Sequence, residues 1–303
     1  MTRVLRQDNG RDVRRVTWVG LGWNVALTIG KFLAGLFGGS NALVADAVHS
    51  ASDFATDIVI LTGSRYWNTP PDEEHPYGHR RFETLVTIFI GLAIVAVGIG
   101  LGWSAIRNLL GHVQTRPEPI AAVMALASVV VKEILYRYTR RAGETLRSPS
   151  LVANAWHHRS DAISSIPVLL ALGLAIPFPD LWYADAAGAA LVSVLIAWSG
   201  LQIAWPGLHQ VVDRCASPEI TEKLKKTALA HPAVLSLHDF RTRYAGSDLH
   251  VDLHIVVDAG MSLRDAHDVA EEVEQRLIDA GENVVDALVH IDPYDPEKAQ
   301  KSP

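Results

Sequence analysis

The sequence contains almost no cysteine. Its 303 residues include one, Cys215. A single cysteine excludes an intramolecular disulfide framework and a thiolate-rich metal site. A lone thiol of this kind usually serves in packing. A metal centre in this chain would therefore be built from imidazole and carboxylate groups.

Positive charge is scarce near the C-terminus. Residues 218–303 carry 9 basic and 17 acidic residues, whereas residues 1–217 carry 18 and 16. The net charge of −6 thus combines +2 from a long apolar part with −8 from a short polar part. An acidic C-terminal part argues against nucleic acid as a partner and is compatible with cations.

Two motifs that would indicate other protein classes are also missing. The apolar run after Arg15 is about 21 residues long and has no clear small-residue cleavage site, which predicts a spanning helix and not a cleaved signal peptide. No His-Glu-x-x-His helix and no nucleophile-base pair occurs, which disfavours a membrane metallohydrolase. We therefore expect a protein that is not an enzyme.

Long apolar stretches dominate the first two thirds of the chain. Six of them reach the roughly 20 residues needed to cross a hydrocarbon core of ~30 Å. They are residues 16–37, 42–67, 82–110, 119–138, 151–175 and 184–206. Helices are expected because lipid offers no partner to exposed backbone groups. A soluble helical protein is the disfavoured alternative, because all six lengths fit a membrane.

The pattern divides the chain into four parts. We predict a cytoplasmic N-terminal segment at 1–15, a six-helix transmembrane domain at 16–208, a cytoplasmic metal-binding α/β domain at 209–295 and a flexible tail at 296–303. Basic residues precede the first helix and lie in the loops after the second and fourth. The positive-inside rule then places both termini in the cytoplasm, and the plasma (inner) membrane is the expected location.

Two copies of one spacing lie inside the second and fifth stretches. His49 and Asp53 form one pair, and His157 and Asp161 form the other. Residues four apart share a helix face, and the predicted topology places Asp53 roughly 18 Å and Asp161 roughly 16 Å into the membrane. Two nitrogen and two oxygen donors suit Zn²⁺. Polar contacts between helices are the alternative, but two carboxylates at this depth are costly and indicate an ion path.

Other titratable groups within the membrane are expected to be structural. Lys31, Lys132, Glu133 and Asp185 are predicted to pair or to snorkel. Protons compete with a metal for imidazole and carboxylate donors. A proton gradient is therefore expected to drive metal efflux by antiport.

Two further clusters combine imidazole with carboxylate. The loop after the second helix contains Asp72, His75 and His79, which can reach one ion; an exposed acidic loop without metal is an equal alternative. The C-terminal part contains His238, His254, His267, His290 and Asp292. Such a set suits Zn²⁺, and solvated surface histidines are the alternative.

These motifs resemble those of the cation diffusion facilitator family of divalent-metal/proton antiporters, in its bacterial iron/zinc type. The match is carried by residues 45–53, by His75-Pro-Tyr-Gly-His79 and by residues 153–161. His238-Asp-Phe-Arg241 and His290-Ile-Asp292-Pro293 match as well. The resemblance covers nearly all of residues 12–293. No long histidine-rich loop is present, which is typical of bacterial members.

The resemblance implies an architecture and roles for individual residues. It implies a homodimer of six-helix bundles with ferredoxin-like, metallochaperone-like cytoplasmic domains, and alternating access between helices two and five. His49, Asp53, His157 and Asp161 would form the transport site, and the loop and C-terminal clusters would form further metal sites. Arg81 and Asp213 would form a charge interlock near the dimer seam. The iron/zinc branch commonly has Asp at the position of His49, and the histidine here is more typical of zinc transporters.

The sequence therefore predicts proton-coupled efflux of divalent metal. Zinc is the first candidate, and Fe²⁺, Cd²⁺ and Mn²⁺ are the others. The absence of thiolates disfavours Cu⁺. Zn²⁺ is expected as substrate and regulator, without a prosthetic group, and protons, the lipid bilayer and a second copy of the chain are the expected partners. The alternative is a membrane protein that does not transport but senses metal or recruits a partner.

Overall fold

The protein was analysed as a computed structural model that describes residues 2–112, 116–146 and 148–294. The predicted flexible tail, 296–303, lies outside the described residues. The chain forms two compact units. The first comprises Met1–Leu61 with Ile90–Gln202, and the second comprises Thr62–Phe89 with Ile203–Pro303.

Long helices account for the predicted membrane stretches. In chain order they are α1 (Thr2–Phe37), α2 (Asn41–Trp67), α3 (Arg81–Leu110), α4 (Pro119–Thr145), α5 (Pro149–Ser164), α6 (Ile166–Ala175) and α7 (Ala184–Val211). By length and composition, four segments within the described chain are able to cross a membrane. They are Arg14–Phe37, Arg81–Leu110, Pro119–Thr145 and Pro179–Val211. The remaining two stretches, α2 and α5–α6, carry the paired His and Asp residues.

The fifth predicted helix is two helices. The expectation of one continuous helix over 151–175 is wrong, because α5 ends at Ser164 and α6 begins at Ile166. Pro167 in the first turn of α6 has no N–H to donate to the preceding turn. The residue before a proline also disfavours helical geometry. The interruption follows Asp161 by one helical turn.

Small residues allow close helix packing within the first unit. A Cβ atom added to Gly98 of α3 would lie 2.7 Å from the backbone nitrogen of Ala197 in α7. A Cβ atom on Gly200 of α7 would lie 2.6 Å from the carbonyl oxygen of Gly91. Packing of backbone against backbone through small residues is common among membrane helices.

The C-terminal part is the predicted α/β domain. Its elements are α8 (Pro218–Leu229), β1 (Ser236–Ala245), β2 (Asp248–Val257), α9 (Leu263–Asp279) and β3 (Val284–Pro293). The sheet order is β1-β2-β3; β1 and β2 are antiparallel, and β2 and β3 are parallel. A parallel pair needs a crossover, which α9 supplies.

Alternation along β2 separates the two faces of this sheet. Leu249, Val251, Leu253, Ile255 and Val257 are buried and belong to the core formed with both helices. The intervening residues point to the other face. His254 is one of them, so the face opposite the helices is where the predicted metal ligands of the strands lie.

Candidate metal centres

Three of the four predicted intramembrane ligands come together. Asp53 of α2 and His157 and Asp161 of α5 each offer one donor atom, and these atoms lie within 4.8 Å of one another. His157 Nε2 is 3.8 Å from Asp161 Oδ2. The three side chains line a cavity of about 100 Å³. The cluster has the donor types and spacing to hold one divalent cation after small side-chain movements.

His49 is the fourth predicted ligand and lies outside this set. It precedes Asp53 by one turn of α2, about 6 Å along the helix axis, and the donors of α5 meet α2 at the level of Asp53. The Nδ1 atom of His49 is buried without a hydrogen-bond partner among the described residues. In this conformation the cluster is therefore a three-donor site with a nearby imidazole.

Two further side chains line the same cavity, and motif spacing did not identify either. Lys132 of α4 places Nζ 2.5 Å from Asp161 Oδ2. His158 is buried, and neither ring nitrogen has a hydrogen-bond partner among the described residues. The expectation that Lys132 pairs is confirmed. Its partner, however, is one of the candidate ligands.

A second lysine forms a buried network one helical turn after Asp161. Lys31 Nζ of α1 lies 2.8 Å from Asp46 Oδ2 of α2, and their side chains are 1% and 2% exposed. The hydroxyl of Ser165 donates to Asp46 at 2.9 Å and accepts from Lys31 at 3.3 Å. This network joins α1, α2 and the α5–α6 interruption. It satisfies two charges that would otherwise be costly at this depth.

Asp185 is satisfied without a basic partner. Its carboxylate accepts hydrogen bonds from the Ser40 hydroxyl at 2.6 Å and from the backbone nitrogens of Asn41 and Ala42. The prediction that Asp185 pairs or snorkels is therefore wrong. The group caps the start of α2, where unpaired N–H groups favour an acceptor.

The loop cluster forms as predicted. One donor atom from each of Asp72, His75 and His79 lies within 4.8 Å of the others, and each imidazole is 3.4 Å from an oxygen of Asp72. The backbone N–H of His75, 2.6 Å from Oδ1, lowers the pKa of Asp72, and the two imidazoles add to this effect. His79 is buried against Tyr66 and Phe82. The loop is thus fixed by aromatic contacts on one side and open on the other.

The C-terminal cluster gathers four of its five predicted members. His238, His254 and His290 occupy one register across the three strands. Asp292 Oδ2 is 3.1 Å from His254 Nδ1 and 3.2 Å from His238 Nε2. Burial alone would raise the pKa of Asp292, but the hydrogen bond with His254 and the charges of the three imidazoles together lower it.

The fifth predicted member lies elsewhere. His267 is exposed on α9, and its Nε2 atom lies 3.2 Å from Glu271 Oε1. Among the described residues it does not belong to any of the His and Asp clusters that could hold a metal ion. Asp239 takes its place beside His238 and His254. A shift in strand register between His238 and Arg241 and a left-handed backbone at Asp239 (φ 48°) accompany this position. Sequence spacing gives no sign of such a bulge.

The predicted charge pair is also present. Arg81 Nη2, at the start of α3, lies 3.2 Å from Asp213 Oδ1, just after α7. Both side chains are more than half exposed. Thr84 donates to Gln210 at 2.9 Å close by. The ends of α3 and α7 are therefore linked by polar contacts within the second unit.

Comparison with known families accounts for these features together. The model of the cation efflux transmembrane domain matches residues 17–211, and the model of the cation efflux protein cytoplasmic domain matches residues 216–294. The chain belongs to the cation efflux family. This membership confirms the resemblance and the fold class predicted above. Members of this family are transporters of metal cations, and the chain is accordingly a multi-pass membrane protein of this class with a cytoplasmic domain of the dimer-forming type.

Two relatives match nearly the whole chain, and one solved structure matches part of it. Metal tolerance protein C1 of Arabidopsis thaliana is 36% identical over 95% of this chain, which spans 64% of the plant protein's length. Manganese efflux system protein MneP of Bacillus subtilis is 30% identical over 93% of this chain and 96% of its own length. A cadmium form of a MamM C-terminal domain variant is 20% identical and covers 26% of this chain and 98% of its own, with a TM-score of 0.25.

Proposed function

We propose that this protein exports divalent metal cations, zinc first, in exchange for protons. The observation that supports this most directly is the gathering of Asp53, His157 and Asp161 around one cavity among apolar helices. Carboxylates at such depth are rare and are typical of ion paths. In the metal-loaded state His49 joins the three donors and completes a set of two nitrogens and two oxygens.

Proton coupling follows from the chemistry of these donors. Metal binding requires neutral imidazoles and ionised carboxylates, so each proton that binds the site opposes the metal. A proton entering from outside then releases the ion, and metal entering from the cytoplasm releases the proton. We place the protein in the plasma (inner) membrane with both termini in the cytoplasm, on the basis of its basic loops.

Zinc is proposed first because imidazole donors favour it over harder ions. Mn²⁺, Fe²⁺ and Cd²⁺ are the other candidates. The relative MneP is named as a manganese efflux protein, which makes Mn²⁺ the essential comparison. The loop and C-terminal clusters are proposed as regulatory metal sites, because they lie outside the apolar helices and are partly open to solvent.

The decisive experiment uses purified full-length protein in proteoliposomes with an internal pH-sensitive dye. A Zn²⁺ gradient should drive metal flux and an opposing proton flux, and Asp161→Ala should abolish both. Glu133→Gln is the matched control, because it alters a carboxylate on α4 that pairs with Arg137 outside the cavity. Full flux in Asp161→Ala would refute the proposed site, and metal flux without proton flux would refute the exchange.

A further inference from the structure

Lys132 occupies the cavity in which the three metal donors meet. Its side chain is 4% exposed, and Nζ lies 2.5 Å from Asp161 Oδ2. A buried ammonium is costly unless a carboxylate compensates it. Here the compensating carboxylate is itself a candidate metal ligand, so one group has two possible cationic partners.

The oxygen that Lys132 contacts is the one directed at the other donor of α5. His157 Nε2 is 3.8 Å from this same Oδ2 atom. A Zn²⁺ ion held between His157 and Asp161 would bind that oxygen at about 2.0–2.2 Å. Two cations around one oxygen at such distances repel strongly in a low-dielectric cavity. Metal and ammonium therefore compete for this oxygen.

We propose that the Lys132 ammonium is a tethered competitor of the transported metal. It holds Asp161 while the site is empty and leaves Oδ2 when metal binds. This inference rests on the proposed transport function of Asp53, His157 and Asp161. The competitor compensates a carboxylate charge in the empty carrier, where an unpaired charge is costly. It also lowers metal affinity, which favours release of the ion.

Equilibrium binding of Zn²⁺ to full-length protein in detergent tests the proposal. All variants carry His75→Ala and His254→Ala, so that the loop and C-terminal clusters contribute little to the titration. Calorimetry at fixed pH should give a Kd for Lys132→Met that is lower than that of the parent by a factor of at least about ten, because a charge-assisted contact no longer opposes the metal. Lys132→Arg keeps the cation and should bind no more tightly than the parent.

Arg137→Gln is the matched control. It removes a positive charge from the same helix, but its guanidinium pairs with Glu133 at 2.8 Å and not with a metal donor. Its Kd should equal that of the parent. A second readout is thermal: added Zn²⁺ should raise the Tm of Lys132→Met by more than that of the parent, since tighter binding stabilises more. Lys132→Gln serves if the methionine variant does not fold.

The outcomes separate this inference from the function on which it rests. Equal or weaker Zn²⁺ binding by Lys132→Met and Lys132→Gln would overturn the competitor and make Lys132 a positioning residue for Asp161. Adding Asp161→Ala should abolish the tight binding. If the Asp161→Ala protein binds Zn²⁺ as its parent does, the proposed transport site itself is wrong.

Discussion

At the scale of single residues, we propose that His49 decides the donor chemistry of the transport site. Its Nδ1 atom is buried without a hydrogen-bond partner among the described residues. Buried polar atoms are nearly always satisfied, so an imidazole with an unpartnered Nδ1 one turn from Asp53 is suited to receive a ligand. A metal that draws His49 into the cluster would satisfy this atom.

The substitution His49→Asp should therefore change metal preference. A carboxylate in place of an imidazole suits Mn²⁺ better and Zn²⁺ less well. We expect the ratio of Zn²⁺ to Mn²⁺ flux in proteoliposomes to fall by about tenfold, equivalent to ~1.4 kcal/mol. His112→Asp is the control, because His112 is an exposed histidine after α3. An unchanged ratio in His49→Asp would show that His49 does not contact the transported ion.

Residue spacing predicts which side chains share a helix face, but not which faces meet. The four-residue intervals identified His157 and Asp161 correctly as neighbours, because helix geometry alone sets that distance. Lys132 lies 29 residues before Asp161. Its presence in the cavity depends on how α4 packs against α5. The same limit applies to His158, which is adjacent to a ligand in sequence and buried by contacts that no local pattern encodes.

At the scale of elements, the buried pair of Lys31 and Asp46 links three segments of the first unit. Removing one partner leaves an uncompensated buried charge, which costs about 3–5 kcal/mol. Lys31→Met should therefore lower the free energy of unfolding in detergent by that order. The double variant Lys31→Met, Asp46→Leu should recover most of the loss, because replacing both partners by apolar groups is often neutral.

The control for this pair is Lys225→Met on α8. Lys225 pairs with Glu222 at the surface, and such pairs contribute about 0–1 kcal/mol. Failure of the double variant to recover would mean that the two charges stabilise the contact between α1, α2 and the α5–α6 interruption by their own attraction.

The α5–α6 interruption itself is only partly predictable from the sequence. Pro167 predicts a disturbed turn, but hydropathy runs through it unbroken.

The register of the three-stranded sheet makes a distinct prediction for the C-terminal cluster. His254 is central, between His238 and His290, whereas His267 pairs with Glu271 on α9. In full-length Asp161→Ala protein that also carries His75→Ala, His254→Ala should abolish the remaining Zn²⁺ binding and His267→Ala should leave it unchanged. Loss of binding in His267→Ala would require a different conformation of α9.

The acid sensitivity of this binding should come from the imidazoles. The pKa of Asp292 is lowered, so its carboxylate stays ionised as pH falls to the value of about 3.9 at which a free aspartate is half protonated. Metal binding needs neutral imidazoles, so protons compete with the ion for these donors. Zn²⁺ affinity measured by calorimetry should therefore decline on acidification while Asp292 is still ionised, that is, well above the pH of about 3.9 at which a free aspartate is half protonated. A decline confined to about pH 4 would instead assign it to the carboxylate.

At the scale of the whole molecule, we expect transport to depend on movement of the helix ends as well as on the metal site. The exposed pair of Arg81 and Asp213 joins the ends of α3 and α7. Because exposed pairs contribute only about 0–1 kcal/mol to stability, this pair is better suited to coordinating movement than to holding the fold. We expect it to act at the dimer seam.

Asp213→Asn should therefore reduce Zn²⁺ flux while changing the free energy of unfolding by less than about 1 kcal/mol. Asparagine tolerates the left-handed backbone at this position (φ 54°), so the change removes charge without adding strain.

Salt provides the second test, because the Debye length falls from about 10 Å at 0.1 M to about 3 Å at 1 M. Added salt should lower wild-type flux towards that of Asp213→Asn and leave the variant itself unaffected. Glu144→Gln is the control, because it breaks another exposed pair, in which Arg140 Nε lies 2.8 Å from Glu144 Oε1. This variant should transport normally at both salt concentrations. If Asp213→Asn transports as the wild type does and keeps the same salt response, coordination must depend on the neighbouring contact between Thr84 and Gln210 or on the sheet domain itself.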